Sequence, residues 1–210
     1  MLIGLDLDGT LLDSRLRHVV ALYHAAEVSE VPLCDEDAQA YFKLKCDGYS
    51  GIEAMRQLGI AQAEDISRRW VEMIESEEML ALDRLYPDTL DMLKRRREHG
   101  NVFVLVTGRH NSKLACRQIA KLGLEEYFHD IIIVDPLDRF MSKALAARRH
   151  DFNAIVGDTE IDLQWAEDLG VDFYASSFGF RSESYWIKRR VTSYVSLSDI
   201  FDAISQIENA

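Results

Sequence analysis

The sequence predicts an α/β fold, a doubly wound parallel sheet that carries an inserted all-helical segment. Short apolar runs and amphipathic helical patterns alternate from residue 87 onward, which is typical of parallel strands joined by right-handed crossovers. Another apolar run, residues 2–7, stands apart at the start of the chain. Between them, residues 16–82 show helical spacing and few strand signals. We therefore expect a core of residues 1–15 and 83–210 and a helical insert of residues 16–82.

The first predicted strand, residues 2–7, is apolar on both faces, as in a strand that helices cover on both sides. The helical insert reads as about four helices. After Pro87 the alternation predicts helices at residues 88–100, 111–124, 142–151 and 163–170, and strands at residues 101–109, 130–135, 153–162 and 171–177. Residues 194–207 supply a last short edge strand and a C-terminal helix.

Composition narrows the class of protein. The 210 residues are 48% hydrophobic and 29% charged, an ordinary globular balance, and the net charge of −12 argues against a nucleic-acid partner. No apolar run approaches the ~20 residues that span a bilayer, and no basic leader precedes the first strand, so we expect neither a membrane segment nor a signal peptide. Three scattered cysteines suggest reduced thiols in a cytoplasmic protein. A monomer or a homodimer is expected, and the sequence does not decide between them.

Polar side chains follow several of the predicted strands. Asp6 and Asp8 end the first strand, Thr107 and Gly108 end the second, and Asp158 and Asp162 end the fourth. Arg109 follows the second strand, and Lys143 opens the helix before the fourth. Ligands of open parallel sheets bind beyond the carboxyl ends of the strands, so these side chains are expected to form one site.

Four carboxylates in one site cannot all stay ionised unaided, because each raises the pKa of the others. A hard dication such as Mg²⁺ resolves the repulsion, since it takes oxygen ligands and commonly combines carboxylates with phosphate oxygens. The same cation lets an anionic substrate approach the pocket. The sequence therefore predicts a Mg²⁺ site that receives an anionic substrate.

Four motifs, in order, resemble those of the haloacid dehalogenase superfamily. The segments are "DLDGTLLDS" from Asp6, "VLVTG" ending at Gly108, Lys143 as the third motif, and "VGDTEID" ending at Asp162. The segments "LYPDTLDMLKRRREHG" and "SFGFRSESYW" further resemble phosphoglycolate-phosphatase-type members. The resemblance covers essentially the whole chain. It implies a Rossmann-like core and places the helical insert where the family has its first-type, or C1, cap.

The resemblance also implies roles for residues. Asp6 would be the nucleophile that forms an aspartyl-phosphate, and Asp8 the general acid and then the base. Mg²⁺ would be held by the carboxylates of Asp6 and Asp158 and the backbone carbonyl of Asp8, and Asp162 would support it directly or through water. The phosphate would be bound by a set of turn, strand-end and lysine groups: Gly9, Thr10, Thr107, Gly108 and Lys143. Lys113 is the substitute for Lys143, because the family's lysine usually precedes a proline and lies farther from the fourth motif.

The segment "FKLKCDGYSGIEAM" in the helical insert resembles the cap loop that reaches into the site in these enzymes. Lys43, Lys45 and Tyr49 there, and Arg109 in the core, are the candidates for substrate specificity. The competing interpretation is an ordinary turn between helices with solvated lysines.

Three other functions stay open on the sequence. The first is a phosphomutase of the β-phosphoglucomutase kind, because the segment "LKCDGYSGIEAM" of this chain faintly resembles the cap segment of that group. The second is a weakly catalytic binding or regulatory protein that keeps the fold. A haloacid dehalogenase is disfavoured, because those members lack the second aspartate that Asp8 supplies. The main prediction is a Mg²⁺-dependent phosphatase that acts on a small soluble phosphomonoester.

Overall fold

The computed structural model describes residues 1–138 and 141–208, so the predicted core range 83–210 includes four residues outside the described part. Within that part, six parallel strands form the central sheet in the order β5-β4-β1-β6-β7-β8. Their bounds are β1 Leu2–Leu5, β4 Val102–Gly108, β5 Phe128–Val134, β6 Ala154–Gly157, β7 Asp172–Ser176 and β8 Ser193–Tyr194. Leu5 of the central strand lies opposite Leu105 on one side and Val156 on the other. The predicted doubly wound parallel sheet is confirmed.

Helices cover both faces of this sheet. They are α6 Thr89–Glu98, α7 Ser112–Lys121, α8 Lys143–Ala146, α9 Glu160–Leu169, α10 Glu183–Lys188 and α11 Leu197–Glu208, with a 3₁₀ turn at Glu125–Tyr127. Alternate residues of β4 face opposite ways: Phe103 and Leu105 pack in the core cluster with α6, α7 and α11, whereas Val104 and Val106 pack in the cluster with α8 and α9. Burial on both faces explains why the strands read as continuous apolar runs.

The helical insert lies between two short strands, β2 Leu12–Asp13 and β3 Arg84–Leu85, which pair antiparallel. Its helices are α1 Arg15–Val28, α2 Asp35–Cys46, α3 Gly51–Gln57, α4 Ala63–Met73 and α5 Glu77–Leu80. It has an apolar cluster of its own that includes Leu22, Tyr41, Met55 and Ile66. The fifth helix is a single turn beyond the expected four. The two-residue strands are too short to show any periodicity in the sequence, and the division into two domains stays a prediction.

The expected strand at residues 153–162 is wrong in its second half. β6 ends at Gly157 and α9 begins at Glu160, so Asp162 lies in the first turn of a helix. The Thr159 backbone N–H donates to Asp162 Oδ2 at 3.1 Å and the Thr159 hydroxyl donates at 2.8 Å, which closes a capping arrangement at the helix start. The expected helix at 142–151 spans only Lys143–Ala146, and the first strand ends at Leu5 instead of Leu7. In the described part of the chain, no helix combines the length and apolar character needed to cross a membrane.

Candidate active site

Three neighbouring strands deliver polar side chains to one edge of the sheet. Asp6 follows β1, Thr107 lies near the end of β4, and Asp158 follows β6. The chain leaves β1 for β4 and β5 on one side and returns to β6 on the other, so β1 and β6 flank the topological switch point. A cavity of about 880 Å³ opens there, between this edge and the helical insert. Asp6, Thr107 and Asp158 line it, as the strand-end argument predicts.

Three buried carboxylates form the centre of the site. Among the described residues, Asp6, Asp158 and Asp162 each offer an oxygen, and these oxygens lie within 4.8 Å of one another. Lys143 Nζ donates to Asp6 Oδ1 at 2.5 Å and to Asp162 Oδ1 at 2.6 Å. Asp158 Oδ2 accepts from the Phe180 backbone N–H at 2.6 Å. Asp158 Oδ1 is buried and has no hydrogen-bond partner in the part of the chain that the structure describes.

The charges of this cluster do not balance. Burial raises the pKa of Asp6 to about 7, with Asp162 adding to the effect and Lys143 opposing it. Burial, Asp6 and Asp162 hold the pKa of Asp158 well above its usual range. Burial alone would lower the pKa of Lys143, but Asp162 and Asp6 keep it above normal. The cluster thus holds three carboxylates but only one ammonium, which contacts Asp6 and Asp162, and Asp158 Oδ1 has no described partner. This donor set fits a hard dication such as Mg²⁺.

Two glycines make the cluster sterically possible. A Cβ on Gly9 would lie 1.9 Å from Asp158 Oδ2, and the residue has φ +77, which favours glycine. A Cβ on Gly157 would lie 2.2 Å from Asp162 Cβ. Gly9 and Thr10 are absent from the described cavity lining, and the Thr10 hydroxyl is buried without a described partner. Their predicted phosphate contacts stay predictions, whereas Thr107, Gly108 and Lys143 do line the cavity.

Asp8 occupies a different electrostatic environment from Asp6. Arg109 Nε donates to Asp8 Oδ2 at 2.7 Å and Arg109 Nη2 to Oδ1 at 2.8 Å, while Arg17 Nη2 also binds Oδ1. Burial alone would raise the pKa of Asp8, but Arg109 and then Arg17 hold it well below its usual range. Arg109 was predicted as a substrate contact; it lines the cavity, but its guanidinium is engaged by Asp8. The sequence offered no signal for Arg17, which sits in an ordinary amphipathic helix.

The structure separates the candidate specificity lysines. Lys45 lines the cavity, its amine lies 5.7 Å from the centroid of the Trp70 ring, and it forms no ion pair with any residue that the structure describes. Lys43 and Tyr49 are exposed and absent from the described lining. Lys113 is likewise exposed and outside it, whereas Lys143 is buried against Asp6. The geometry therefore favours Lys45 over Lys43 as the candidate specificity lysine. It likewise favours Lys143 over Lys113 as the candidate phosphate-binding lysine.

Sequence reasoning missed an aromatic group on the insert side of the cavity. The ring of His18 lies 5.2 Å from that of Trp70 and 4.5 Å from that of Phe180, centroid to centroid. These rings come from α1, α4 and the loop after β7, so no local motif connects them. Glu75 was also missed; it accepts from the backbone N–H groups of His110 and Asn111 at 2.9 and 2.8 Å, which joins insert to core.

The parallel sheet with its switch-point carboxylates and helical insert defines a known class of hydrolase. The family model described as haloacid dehalogenase-like hydrolase matches residues 3–176. The chain belongs to this family, and the resemblance expected from its four motifs is confirmed.

Curated relatives carry a more specific description. A phosphoglycolate phosphatase from Vibrio parahaemolyticus is 25% identical over 193 residues, covering 85% of this chain and 84% of that protein. A phosphoglycolate phosphatase from Rhodobacter capsulatus is 32% identical over 103 residues, covering 46% and 47%. A solved haloacid dehalogenase-like hydrolase from Streptococcus pneumoniae superposes with a TM-score of 0.75 at 19% identity, covering 98% of this chain and 97% of the other. The chain is thus similar in sequence to phosphatases, and it shares the fold of the solved hydrolase.

Proposed function

We propose that this protein is a Mg²⁺-dependent phosphatase that hydrolyses a small phosphomonoester through an aspartyl-phosphate on Asp6. The observation that carries the proposal is the buried Oδ1 of Asp158, without a described partner, in a cluster of three carboxylates at the switch point of the sheet. A buried polar atom without a hydrogen-bond partner costs about 1–3 kcal/mol. A bound cation removes that cost.

The carboxylates of Asp6, Asp158 and Asp162 and the backbone carbonyl of Asp8 would hold Mg²⁺. When bound, the cation would neutralise the cluster and attract the oxygens of an anionic phosphate. Asp158 is already oriented for this, because its other oxygen accepts from the Phe180 N–H. Asp162 lies in the first turn of α9, where hydrogen bonds from Thr159 orient its carboxylate.

Each step of the reaction is then assigned to side chains of the protein. An Asp6 oxygen attacks phosphorus, the bond from phosphorus to the ester oxygen breaks, and that oxygen leaves with a proton from Asp8. Lys143 and Thr107 hold the phosphoryl oxygens, which suits a reaction governed by electrostatic positioning. A water then attacks the aspartyl-phosphate, Asp8 takes its proton, and inorganic phosphate leaves Asp6 free. For the first step Asp8 must release at least one guanidinium and take up a proton, since both of its oxygens are engaged in the structure and the arginines hold its pKa well below the usual range.

We propose a carboxylate-bearing ester such as 2-phosphoglycolate as the substrate. The curated relatives act on phosphoglycolate according to their names, and Lys45 offers a cation on the insert side of the cavity with no described acidic partner. An unpaired ammonium in a partly buried site favours an anionic ligand group.

Phosphate release from a panel of esters tests the class. The panel contains 2-phosphoglycolate, sugar phosphates and nucleotides, each with Mg²⁺, with EDTA, and with Asp6→Asn. Release that needs Mg²⁺ and is lost in the variant is the expected result. A Mg²⁺-dependent isomerisation of a sugar phosphate without phosphate release would identify a phosphomutase instead.

Substitution of Lys45 tests the substrate. Lys45→Met is expected to raise KM for 2-phosphoglycolate by about tenfold or more, because a charge-assisted contact contributes about 1.5–3 kcal/mol. KM for ethyl phosphate, which has no carboxylate, is expected to change little. Lys43→Met is the matched control, since Lys43 lies on the same helix but outside the described cavity lining. Equal effects of the two substitutions would remove Lys45 from the proposal.

A further inference from the structure

A buried polar network connects Asp8 to two residues outside the described cavity lining. Arg17 and Arg109 both bind Asp8. On its other side Arg17 pairs with Asp83, and Arg109 contacts Gln118. Asp83 precedes β3, at the return from the helical insert to the core, and Gln118 lies on α7. Both are buried, whereas Asp8, Arg17 and Arg109 all line the cavity.

Both arginines divide their contacts between these groups. Arg17 Nη2 binds Asp8 Oδ1, and its Nε lies 3.0 Å from Asp83 Oδ1. Arg109 Nη2 lies 2.8 Å from Asp8 Oδ1, 3.3 Å from Gln118 Oε1 and 3.9 Å from Asp83 Oδ2. Gln118 Nε2 in turn donates to Asp83 Oδ2 at 2.7 Å and to the Leu80 carbonyl at 3.0 Å. Asp83 and Gln118 therefore compete with Asp8 for the same guanidinium groups.

The charges of the network balance only with Asp83 present. Two arginines face two carboxylates, those of Asp8 and Asp83, and the side chain of Asp83 has 0% exposure. Without Asp83, two buried guanidinium groups would converge on the single carboxylate of Asp8. A buried cation that loses one partner binds the remaining one more tightly, because water does not replace the lost contact.

We infer that Asp83 and Gln118 are positioning residues, which compete with Asp8 for Arg17 and Arg109 so that Asp8 can release a guanidinium group and free one oxygen to reach the leaving group. The inference rests on the proposed function, in which Asp8 gives a proton to the departing ester oxygen. It extends the site beyond the residues that contact the cavity. It also assigns a task to Asp83, at the junction of the insert and the core.

The leaving group provides a readout that a merely structural role does not change. An alkyl ester such as 2-phosphoglycolate needs a proton on its departing oxygen, whereas p-nitrophenyl phosphate releases a stable phenolate. The value of kcat/KM reports the steps through formation of the phosphoenzyme, so comparing the two esters isolates the protonation. Asp83→Asn is expected to lower kcat/KM for 2-phosphoglycolate at least about tenfold more than for p-nitrophenyl phosphate. A loss of folding or of metal binding would lower both values together.

A second substitution keeps the test decisive if Asp83→Asn fails to fold. Gln118→Met has a similar volume and removes the hydrogen bonds to Arg109 and Asp83, so it is expected to show the same selective loss. Asp202→Asn is the matched control, because Asp202 also pairs with an arginine, Arg96 at 2.7 Å, outside the network. Thermal melts verify that each variant is folded at the assay temperature.

Two results would overturn the inference. Equal losses for both esters would make Asp83 and Gln118 structural residues, and unchanged values would leave Asp8 independent of them. Either result leaves the proposed function intact, since the wild-type protein still hydrolyses both esters with Mg²⁺. A wild-type protein that hydrolyses neither ester overturns the proposed function and this inference with it.

Discussion

At the scale of single residues, the site is governed by carboxylates that differ in their partners. Asp6 and Asp158 are buried among other acids, so their pKa values lie above the ordinary range, whereas two arginines lower that of Asp8. The spacing of Asp6 and Asp8 was enough to predict a pair. It was not enough to predict that their side chains would meet opposite electrostatic environments, since that depends on Arg17 and Arg109.

Asp158→Asn tests the metal site directly. The substitution keeps the shape of the side chain and removes the charge that the orphaned Oδ1 offers, so Mg²⁺ affinity is expected to fall by about 100-fold or more. Isothermal titration with Mg²⁺ measures the affinity, and phosphate release measures the accompanying loss of activity. Asp168→Asn is the control, because Asp168 lines the same cavity outside the three-carboxylate cluster. Unaltered Mg²⁺ affinity in Asp158→Asn would contradict the proposed site.

The ionisation of Lys45 predicts a pH dependence of substrate binding. Burial, with Arg181 adding to the effect, lowers the pKa of Lys45 to about 8. The side chain is a cation below that pH and neutral above it, so KM for 2-phosphoglycolate is expected to rise about tenfold per pH unit above pH 8. KM for ethyl phosphate is expected to stay flat over the same range. Lys45→Arg should abolish the rise, because arginine keeps its charge; a rise that persists in this variant would assign it to another group.

At the scale of elements, the loop after β7 docks the helical insert onto the core. Arg181 Nη1 donates to the Lys45 carbonyl at 2.6 Å, and the Ser182 N–H donates to the Cys46 carbonyl at 3.1 Å. Both carbonyls lie at the C-terminal end of α2, where the regular hydrogen bonds of the helix end. Glu160 holds Arg181 in place through two contacts of 2.7 Å. The loop thus fixes the end of the helix that carries Lys45.

Arg181→Met is expected to loosen this docking. The loss of contacts to a charged group costs about 1–2 kcal/mol after allowing for the half-exposed Glu160, which corresponds to a fall in Tm of about 2–8 °C. KM for 2-phosphoglycolate is expected to rise, because Lys45 is held less firmly over the cavity. Hydrogen exchange of α2 locates the change, and Arg68→Met, at an exposed ion pair of the insert, is the control. Unchanged exchange at α2 would show that the loop does not hold the insert.

At the scale of the whole molecule, buried acids link stability to pH and metal. The pKa of Asp6 is raised to about 7 and that of Asp83 to about 6, in both cases mainly by burial. The folded state therefore binds more protons than the unfolded chain between about pH 4 and pH 7, and stability without metal falls as the pH rises through that window. A dication on the carboxylates reverses the effect, because it favours their charged form.

The expected result is a lower Tm in EDTA at about pH 8 than at about pH 5, and a rise at pH 8 when Mg²⁺ is added. Mg²⁺ at about 100 times its Kd contributes about 2.7 kcal/mol, or about 5–10 °C for a chain of this size. Differential scanning calorimetry measures both effects. In Asp158→Asn the response to Mg²⁺ should largely disappear. A Tm that Mg²⁺ does not alter in the wild-type protein would argue against a metal site in the fold.

Much of the core could be predicted because its signals are local. Apolar runs of strand length alternate with amphipathic helices, and this periodicity depends only on which side chains are buried. Helix and strand boundaries were predicted less well where capping decides them: Thr159 caps α9, which begins at Glu160, within a segment predicted as a continuing strand. The ribbon of β2 and β3 could not be predicted, since two residues carry no periodicity.

By itself the sequence determined the parallel sheet, the helical insert, the strand ends that carry Asp6, Thr107 and Asp158, and the helix start at Lys143, because each depends on residues adjacent in the chain. The tertiary structure alone decided which distant groups meet. Arg17 comes from an insert helix and Arg109 from the end of a core strand, and both contact Asp8. The rings of His18, Trp70 and Phe180 likewise meet from three separate segments. The physical reason is that such contacts depend on how the insert packs against the sheet, and that packing is set by the summed burial of many side chains rather than by any short motif.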